Sequence, residues 1–371
     1  MLLCGCTKLS DIDESLLRPW PAQCHLIDTS SRGLTLRLVA GSSAKSIPSS
    51  IHPAVTRRKF LSATLGAGAI VLTEGLQKLV TAATTSTTKT AFLLGGDLAV
   101  NRLGYGAMRL TGKGVWGWPA DRENARKVLR QAIELGVNFI DTADAYGPEV
   151  SELLIAEALY PYPSGLVIAT KGGLTRPGPD QWKPNGRPEY LTQCVEKSLK
   201  RLKLERIDLY QLHRIDRNVA VEDSLGALKK MQDAGKIRHV GLSEVDPKEI
   251  ERARKVLPIV SVQNEYNIED RKSESTLIYC EKEKLGFIPW FPLGGSGSSL
   301  TRPGNPLETE AKRHGATVAQ LALAWLLQRS PVMLPIPGTS SLKHLEENMA
   351  SAKLQITPAD WKTIEDLASR A

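Results

Sequence analysis

Eight times between about residues 91 and 350, the sequence passes from a short apolar run to a longer segment of helical period, and this alternation restricts the fold more than any other feature. The runs are NRLGYGAM, NFIDTAD, LVIATK, IDLYQLH, IRHVGLSE, VSVQNEYN, GFIPWFPL and VMLPIPGT. Helical patterns cover 122–135, 150–159, 189–202, 221–234, 247–256, 273–285, 318–328 and 341–350. In the first of these, Ala125, Val128, Leu129, Ala132, Ile133 and Leu135 form one apolar stripe opposite Arg and Glu. Strand and helix in strict alternation predict a parallel sheet, since each helix returns the chain to begin the next strand at the same end. Eight units over about 250 residues predict an α/β fold, a (β/α)8 TIM barrel. A doubly wound sheet is the rival, but LGYGAM after the first strand is not the G-x-G-x-x-G turn that such a sheet uses for a dinucleotide. Ahead of the units, TAFLLGGDLAV reads as a β-hairpin turning at Gly95-Gly96-Asp97, and TPAD at Thr357 opens a C-terminal helix reaching Ser369.

The first ninety residues are of another kind. Residues 56–75, TRRKFLSATLGAGAIVLTEG, place Arg57-Arg58 before a weakly apolar, Gly/Ala-rich run, which resembles a twin-arginine export signal. The run is too short and glycine-rich for stable membrane insertion. Val80, Ala82 and Ala83 offer a small-residue cleavage site before a Thr-rich linker. The chain thus divides into an extension over 1–55 (disordered, or owed to a start codon assigned too far upstream), a signal and linker over 56–90, and a barrel over 91–371. The twin-arginine translocase is the implied partner and an exported or periplasmic location follows if the signal works; otherwise the protein is cytoplasmic. The net charge of +8 is concentrated in this N-terminal part, so it gives no reason to expect a nucleic-acid partner for the barrel. Cys194 and Cys280 have neither C-x-x-C spacing nor a nearby His, and no metal site is expected.

In a barrel of this kind chemistry gathers at the C-terminal ends of the strands. Those ends carry Asp141, Asp144 and Tyr146, then Lys171, then His213, then Ser243 and Glu244, then Gln263 and Asn264. A strand end would not collect such groups without partners. A Lys ammonium beside a phenol favours phenolate and lowers its pKa, and an Asp carboxylate holds the Lys in place. Such a Tyr can pass a proton to an oxygen becoming an alkoxide, while a neutral His orients that oxygen.

NFIDTADAYG, LVIATKGG, IDLYQLHRID, HVGLSE, VQNEYN and IPGTSSLKHLEEN together resemble the aldo/keto reductases, in unbroken order from about residue 98 to 350. The resemblance implies a TIM barrel binding a nicotinamide cofactor across its mouth, with Asp141, Tyr146, Lys171 and His213 as catalytic tetrad and Tyr146 as general acid. It implies Ser243 and Gln263 on the nicotinamide carboxamide, with Glu244 in place of the more usual Asn, Trp290 beneath the ring, and Pro292 and Leu293 also among the cofactor-binding residues. Gly338, Thr339, Ser340 and His344 stand where many members grip a 2′-phosphate, and Glu347 and Asn348 where they face adenine. NADP(H) is favoured and NAD(H) is admitted. The substrate implied is a small carbonyl compound, its pocket walled by Trp116 and Trp118 from the loop after the first strand. The same fold also serves as a cofactor-binding, redox-sensing regulatory subunit, which is the alternative function.

Overall fold

The computed structural model describes residues 91–368 apart from 296, 297 and 301; the extension, the Arg57-Arg58 segment and the linker lie outside the described residues. The first two strands, β1 (Ala91–Leu94) and β2 (Leu98–Asn101), form the expected antiparallel hairpin. Asp97 in its turn accepts from Arg238 at 2.8 Å and lies 2.6 Å from His239 Nε2, which fastens the hairpin to the starting end of a central strand.

Seven strands then form one parallel sheet: β3 (Tyr105–Gly106), β4 (Phe139–Asp141), β5 (Val167–Gly172), β8 (Ile207–Leu212), β9 (Ile237–Ser243), β10 (Ile259–Gln263) and β11 (Gly286–Phe287). Neighbours in the sheet are neighbours in this series, and every pairing is parallel. Between β5 and β8 lies an unforeseen ribbon, β6 (Leu174–Thr175) against β7 (Lys183–Pro184). The strands are covered on both faces, so their runs read as continuously apolar; all six residues of β5 are buried, Lys171 among them. A buried lysine in such a strand must have a partner.

The segment expected to be the eighth strand forms no regular strand, because Pro335 and Pro337 remove alternate donors from it. It nevertheless joins both edges of the sheet. Phe287 N donates to Val332 O and Leu334 N to Phe287 O, both at 2.8 Å, while Gly104 N donates to Pro335 O at 2.9 Å. Gly106 and Gly338 permit this approach: a Cβ on Gly106 would lie 2.6 Å from Ile336 O, and one on Gly338 2.5 Å from Gly106 O.

The helices follow the apolar stripes. α1 (Arg122–Glu134) buries Ala125, Val128, Leu129 and Ala132 and is capped by Asp121, whose carboxylate accepts from Asn124 N at 2.8 Å. α2 (Val150–Leu159), α3 (Pro188–Leu202), α4 (Val221–Asp233), α5 (Pro247–Arg254) and α6 (Glu274–Glu283) each precede the next strand of the sheet. A short unforeseen α7 (Glu308–Arg313) comes before α8 (Val318–Arg329), α9 (Leu342–Ala350) and the C-terminal α10 (Pro358–Ala368). Glu310, His314 and Asp360 carry ligand atoms within 4.8 Å of one another, but Arg313 bridges the two carboxylates, so this cluster reads as the clasp that ties α10 to α7.

Candidate active site

Register explains why the polar groups meet. Lys171 on β5 is paired with Gln211 on β8, and Ser243 on β9 with Gln263 on β10; paired residues in a sheet put their side chains on the same face. Asp141, Lys171, Gln211 and Gln263 thus make one buried polar layer inside the sheet, none more than 2% exposed. Asp141 is saturated with donors: Lys171 Nζ at 2.6 Å on one oxygen, and Gln263 Nε2 at 2.9 Å and Gln211 Nε2 at 3.1 Å on the other. Lys171 Nζ also donates to Thr142 O at 2.8 Å and lies 3.2 Å from the Tyr146 hydroxyl. The ammonium therefore has a carboxylate, a carbonyl and a phenol around it.

Charge states follow from this surrounding. Burial, the largest influence on Lys171, pushes its pKa down, but Asp141 and Tyr146 more than offset it and hold the ammonium above its ordinary range. Tyr146 differs from expectation. Burial raises its hydroxyl, and although Lys171 pulls the other way the net direction is up, so the side chain is a phenol rather than a phenolate at neutral pH. His213 is driven well below its ordinary value, first by burial and then by Lys171, Arg214 and Arg176, and is neutral. Its Nδ1 is buried with no partner among the described residues. Tyr146 meets the His213 ring edge-on at 5.8 Å.

These groups open on a cavity of about 670 Å³. Of the residues singled out from sequence, Asp141, Tyr146, His213, Ser243, Gln263, Trp290, Pro292, Leu293 and Gly338 line it. Glu244 does not. With its backbone in the left-handed region (φ 55°), it turns its carboxylate to Trp290 Nε1 at 2.6 Å and Glu265 N at 2.9 Å, and so fixes the indole from behind. Ser243 Oγ accepts from Arg214 at 2.9 Å. Gln263 spends its amide N–H on Asp141, leaving its oxygen as the group it can offer to the cavity.

Thr339, Ser340, His344, Glu347 and Asn348 lie apart from the cavity, before and along α9. Tyr105 donates to Thr339 O at 2.6 Å and Asn124 to Ser340 O at 2.7 Å, so that turn is held by side chains of β3 and α1.

Trp116 and Trp118 do not line the cavity. The loop folds back on itself, Gly112 N donating to Gly117 O at 3.0 Å, and presents Val115 instead. Trp118 is 42% exposed beneath the Arg122 guanidinium, 3.9 Å from its ring, and Trp116 faces Arg176. The aromatic wall is Trp182, from the turn of the β6–β7 ribbon, 6.2 Å from the Tyr146 ring and 6.3 Å from that of His213. Arg176 stacks on Trp182 at 3.5 Å and donates to Gly114 O, Val115 O, Ala145 O and Gln181 O, tying three loops together.

Asp144, expected at the same mouth, lines a separate cleft with Tyr190, Cys194 and Arg201. Burial first, and then Glu152, raises its carboxyl to about 7, against the opposing pull of Cys194 and Arg201. A carboxyl that keeps its proton longer when folded gives stability that is full below 3.8 and lost as pH rises to about 7. Asp144→Asn is therefore expected to raise the melting temperature at about pH 8 relative to that at about pH 5, compared with wild type. Parallel pH profiles for the two proteins would mean that Asp144 ionises normally.

The chain is similar to several known proteins. The sequence profile of the aldo/keto reductase family matches residues 102–369. An uncharacterised oxidoreductase of Schizosaccharomyces pombe is 51% identical over 73% of this chain and 88% of its own length. Pyridoxine 4-dehydrogenase of Escherichia coli is 44% identical over 74% of this chain and 96% of its own. Among solved structures, an aldo-keto reductase from Klebsiella pneumoniae in complex with NADPH superposes with a TM-score of 0.64 at 25% identity, over 75% of this chain and 95% of that one. A profile that runs from the loop before β3 into the last helix leaves little of the described fold outside it, and the chain belongs to the aldo/keto reductase family.

Proposed function

We propose that this chain is an NADP(H)-dependent reductase that turns an aldehyde or ketone into the alcohol, at the mouth of a (β/α)8 barrel closed by the segment around Met333. The observation that carries the reading is the Tyr146 hydroxyl, a protonated phenol 3.2 Å from a buried ammonium, on the wall of a cavity it shares with a neutral His213. The cavity suits the dinucleotide of the NADPH-bound relative: it joins the polar wall of Ser243 and Gln263 to the flat indole of Trp290 and runs to Gly338. When bound, that cofactor supplies the hydride.

The rest is done by the chain's own residues. Tyr146 donates its proton to the substrate oxygen as negative charge builds there. Lys171, kept charged by Asp141, stabilises the phenolate left behind. His213, being neutral, hydrogen-bonds the same oxygen and orients the carbonyl. Ser243 and Gln263 offer polar atoms to the carboxamide, while Trp290, Pro292 and Leu293 supply the apolar floor. Thr339, Ser340, Lys343 and His344 at the start of α9 take the 2′-phosphate, and Glu347 and Asn348 the adenine.

The direct test is a fluorescence titration of the protein lacking residues 1–89 with NADPH and NADH, followed by a panel of aldehydes. Pyridoxal belongs in that panel because a relative at 44% identity is a pyridoxine 4-dehydrogenase. Tight binding with aldehyde-dependent oxidation of NADPH is expected; binding without oxidation would favour a regulatory subunit of the same fold. A paired Lys343→Ala, His344→Ala change is expected to weaken NADPH roughly tenfold and NADH far less, as loss of charge-assisted contacts to one phosphate requires. Equal weakening of both would place the 2′-phosphate elsewhere.

A further inference from the structure

Arg214 follows His213 directly and lines the same cavity, half-buried. One nitrogen of its guanidinium, Nη1, donates to His213 O at 2.7 Å and to Ser243 Oγ at 2.9 Å. Its Nε and Nη2 have no partner among the described residues, and no carboxylate lies within ion-pairing distance, whereas most of the barrel's arginines are paired. Burial lowers its pKa and Glu244 opposes that, but a guanidinium keeps its proton in a protein, so the charge stays. Arg109 lines the cavity from the short 3-10 turn after β3 (Ala107–Leu110), 6.0 Å over the Phe291 ring, and it too has no ion pair among the described residues.

Of the acidic groups nearby, Asp141 is neutralised by Lys171, Asp180 acts on Arg176 on the ribbon side, and Glu244 and Glu265 act on Arg214 only through space, neither forming an ion pair with it. A half-buried guanidinium fixed by one nitrogen, with the remaining edge of its fork unfilled, is suited to a planar or tetrahedral oxyanion held through two parallel hydrogen bonds. Its fixed end is at His213 and Ser243, so the ligand it serves sits beside the reacting carbonyl.

We propose that Arg214, assisted by Arg109, binds a carboxylate or phosphate carried by the carbonyl substrate, so that the enzyme selects anionic aldehydes over their neutral counterparts. The inference rests on the reductase reading of the same cavity, and its test separates the two.

The measurement is the ratio of kcat/KM for 4-carboxybenzaldehyde to that for its neutral analogue, methyl 4-formylbenzoate, together with the ratio for glyceraldehyde 3-phosphate against glyceraldehyde. Wild type is expected to favour the anion of at least one pair by roughly tenfold to a hundredfold, the range for a hydrogen bond to a charged group, and the pair with the larger ratio identifies the anion. Arg214→Gln should bring that ratio close to one, Arg214→Lys should keep part of it, and Arg109→Gln should lower it partway. Ratios near one in wild type, or unaltered in all three variants, overturn the proposal. So does a weakening of NADPH binding by Arg214→Gln at constant ratio, which would give the guanidinium to the cofactor. If no aldehyde is turned over, the reductase reading fails but the anion site is still read: quenching of tryptophan fluorescence by 4-(hydroxymethyl)benzoate should be saturable in wild type and lost in Arg214→Gln, and equal quenching in both overturns it.

Discussion

Tyr146→Phe is expected to slow aldehyde reduction by about 10²- to 10⁴-fold in kcat, the usual share of a positioned general acid. The substitution removes one oxygen and little else. A phenylalanine ring keeps the edge contacts to Trp182 at 6.2 Å and to His213 at 5.8 Å. Lys171 loses its 3.2 Å contact but retains Asp141 and Thr142 O, so no charge is stranded. Stability and NADPH affinity should therefore stay near wild type, and the loss should appear in single-turnover oxidation of bound NADPH, where product release plays no part. Turnover within about tenfold of wild type would mean that the proton reaches the substrate by another route. A pH profile adds an independent reading. Since burial raises the phenol against the pull of Lys171, the wild-type rate of reduction should hold through neutral pH and fall only in the alkaline range, as the proton donor is lost.

How far such a site could be read from sequence depends on the residue. The helices are legible because a single apolar stripe has only one way to be buried, and the observed bounds of α2 match the predicted ones. That Asp141, Tyr146, Lys171 and His213 meet is legible because charged and phenolic groups at the ends of successive apolar strands are brought to one end of a parallel sheet. Gln211 was missed although it carries a signal: it is a polar residue two positions before His213 in an otherwise apolar strand, hence on the same face. Trp182 was hidden for a different reason. It lies in GGLTRPGPDQWKPNGR, whose glycines and prolines suggest only a loop, and it enters the cavity through a two-strand ribbon and an arginine stack that no periodicity announces. Trp116 and Trp118 mislead in the opposite sense, since an aromatic in a mouth loop is as readily spent on a neighbouring guanidinium as on a substrate. The sign of the Tyr146 shift also needed three dimensions, because burial and the neighbouring ammonium oppose each other and only their geometry decides which prevails.

The second large effect concerns the buried pair itself. Lys171→Met is expected to lower the free energy of unfolding by about 3–5 kcal/mol, the range for breaking a buried ion pair by removing one partner. Lys171 is fully buried and Asp141 2% exposed, so the carboxylate left behind cannot turn to water. It keeps only the two glutamine amides, and it must either remain charged on those or take up a proton. Pairing Lys171→Met with Asp141→Asn removes that stranded charge. The double variant should then be more stable in urea than Lys171→Met alone, because an amide in this layer can still accept from Gln211 or Gln263 and a methionine can fill the lysine's volume. Activity should not return with stability, since neither change restores an ammonium beside Tyr146. If the double variant is no more stable than the single, the glutamines alone satisfy Asp141 and the pair owes nothing to charge. If activity does recover with stability, Lys171 acts by holding the strand ends in place, and the electrostatic role assigned to it beside Tyr146 is wrong.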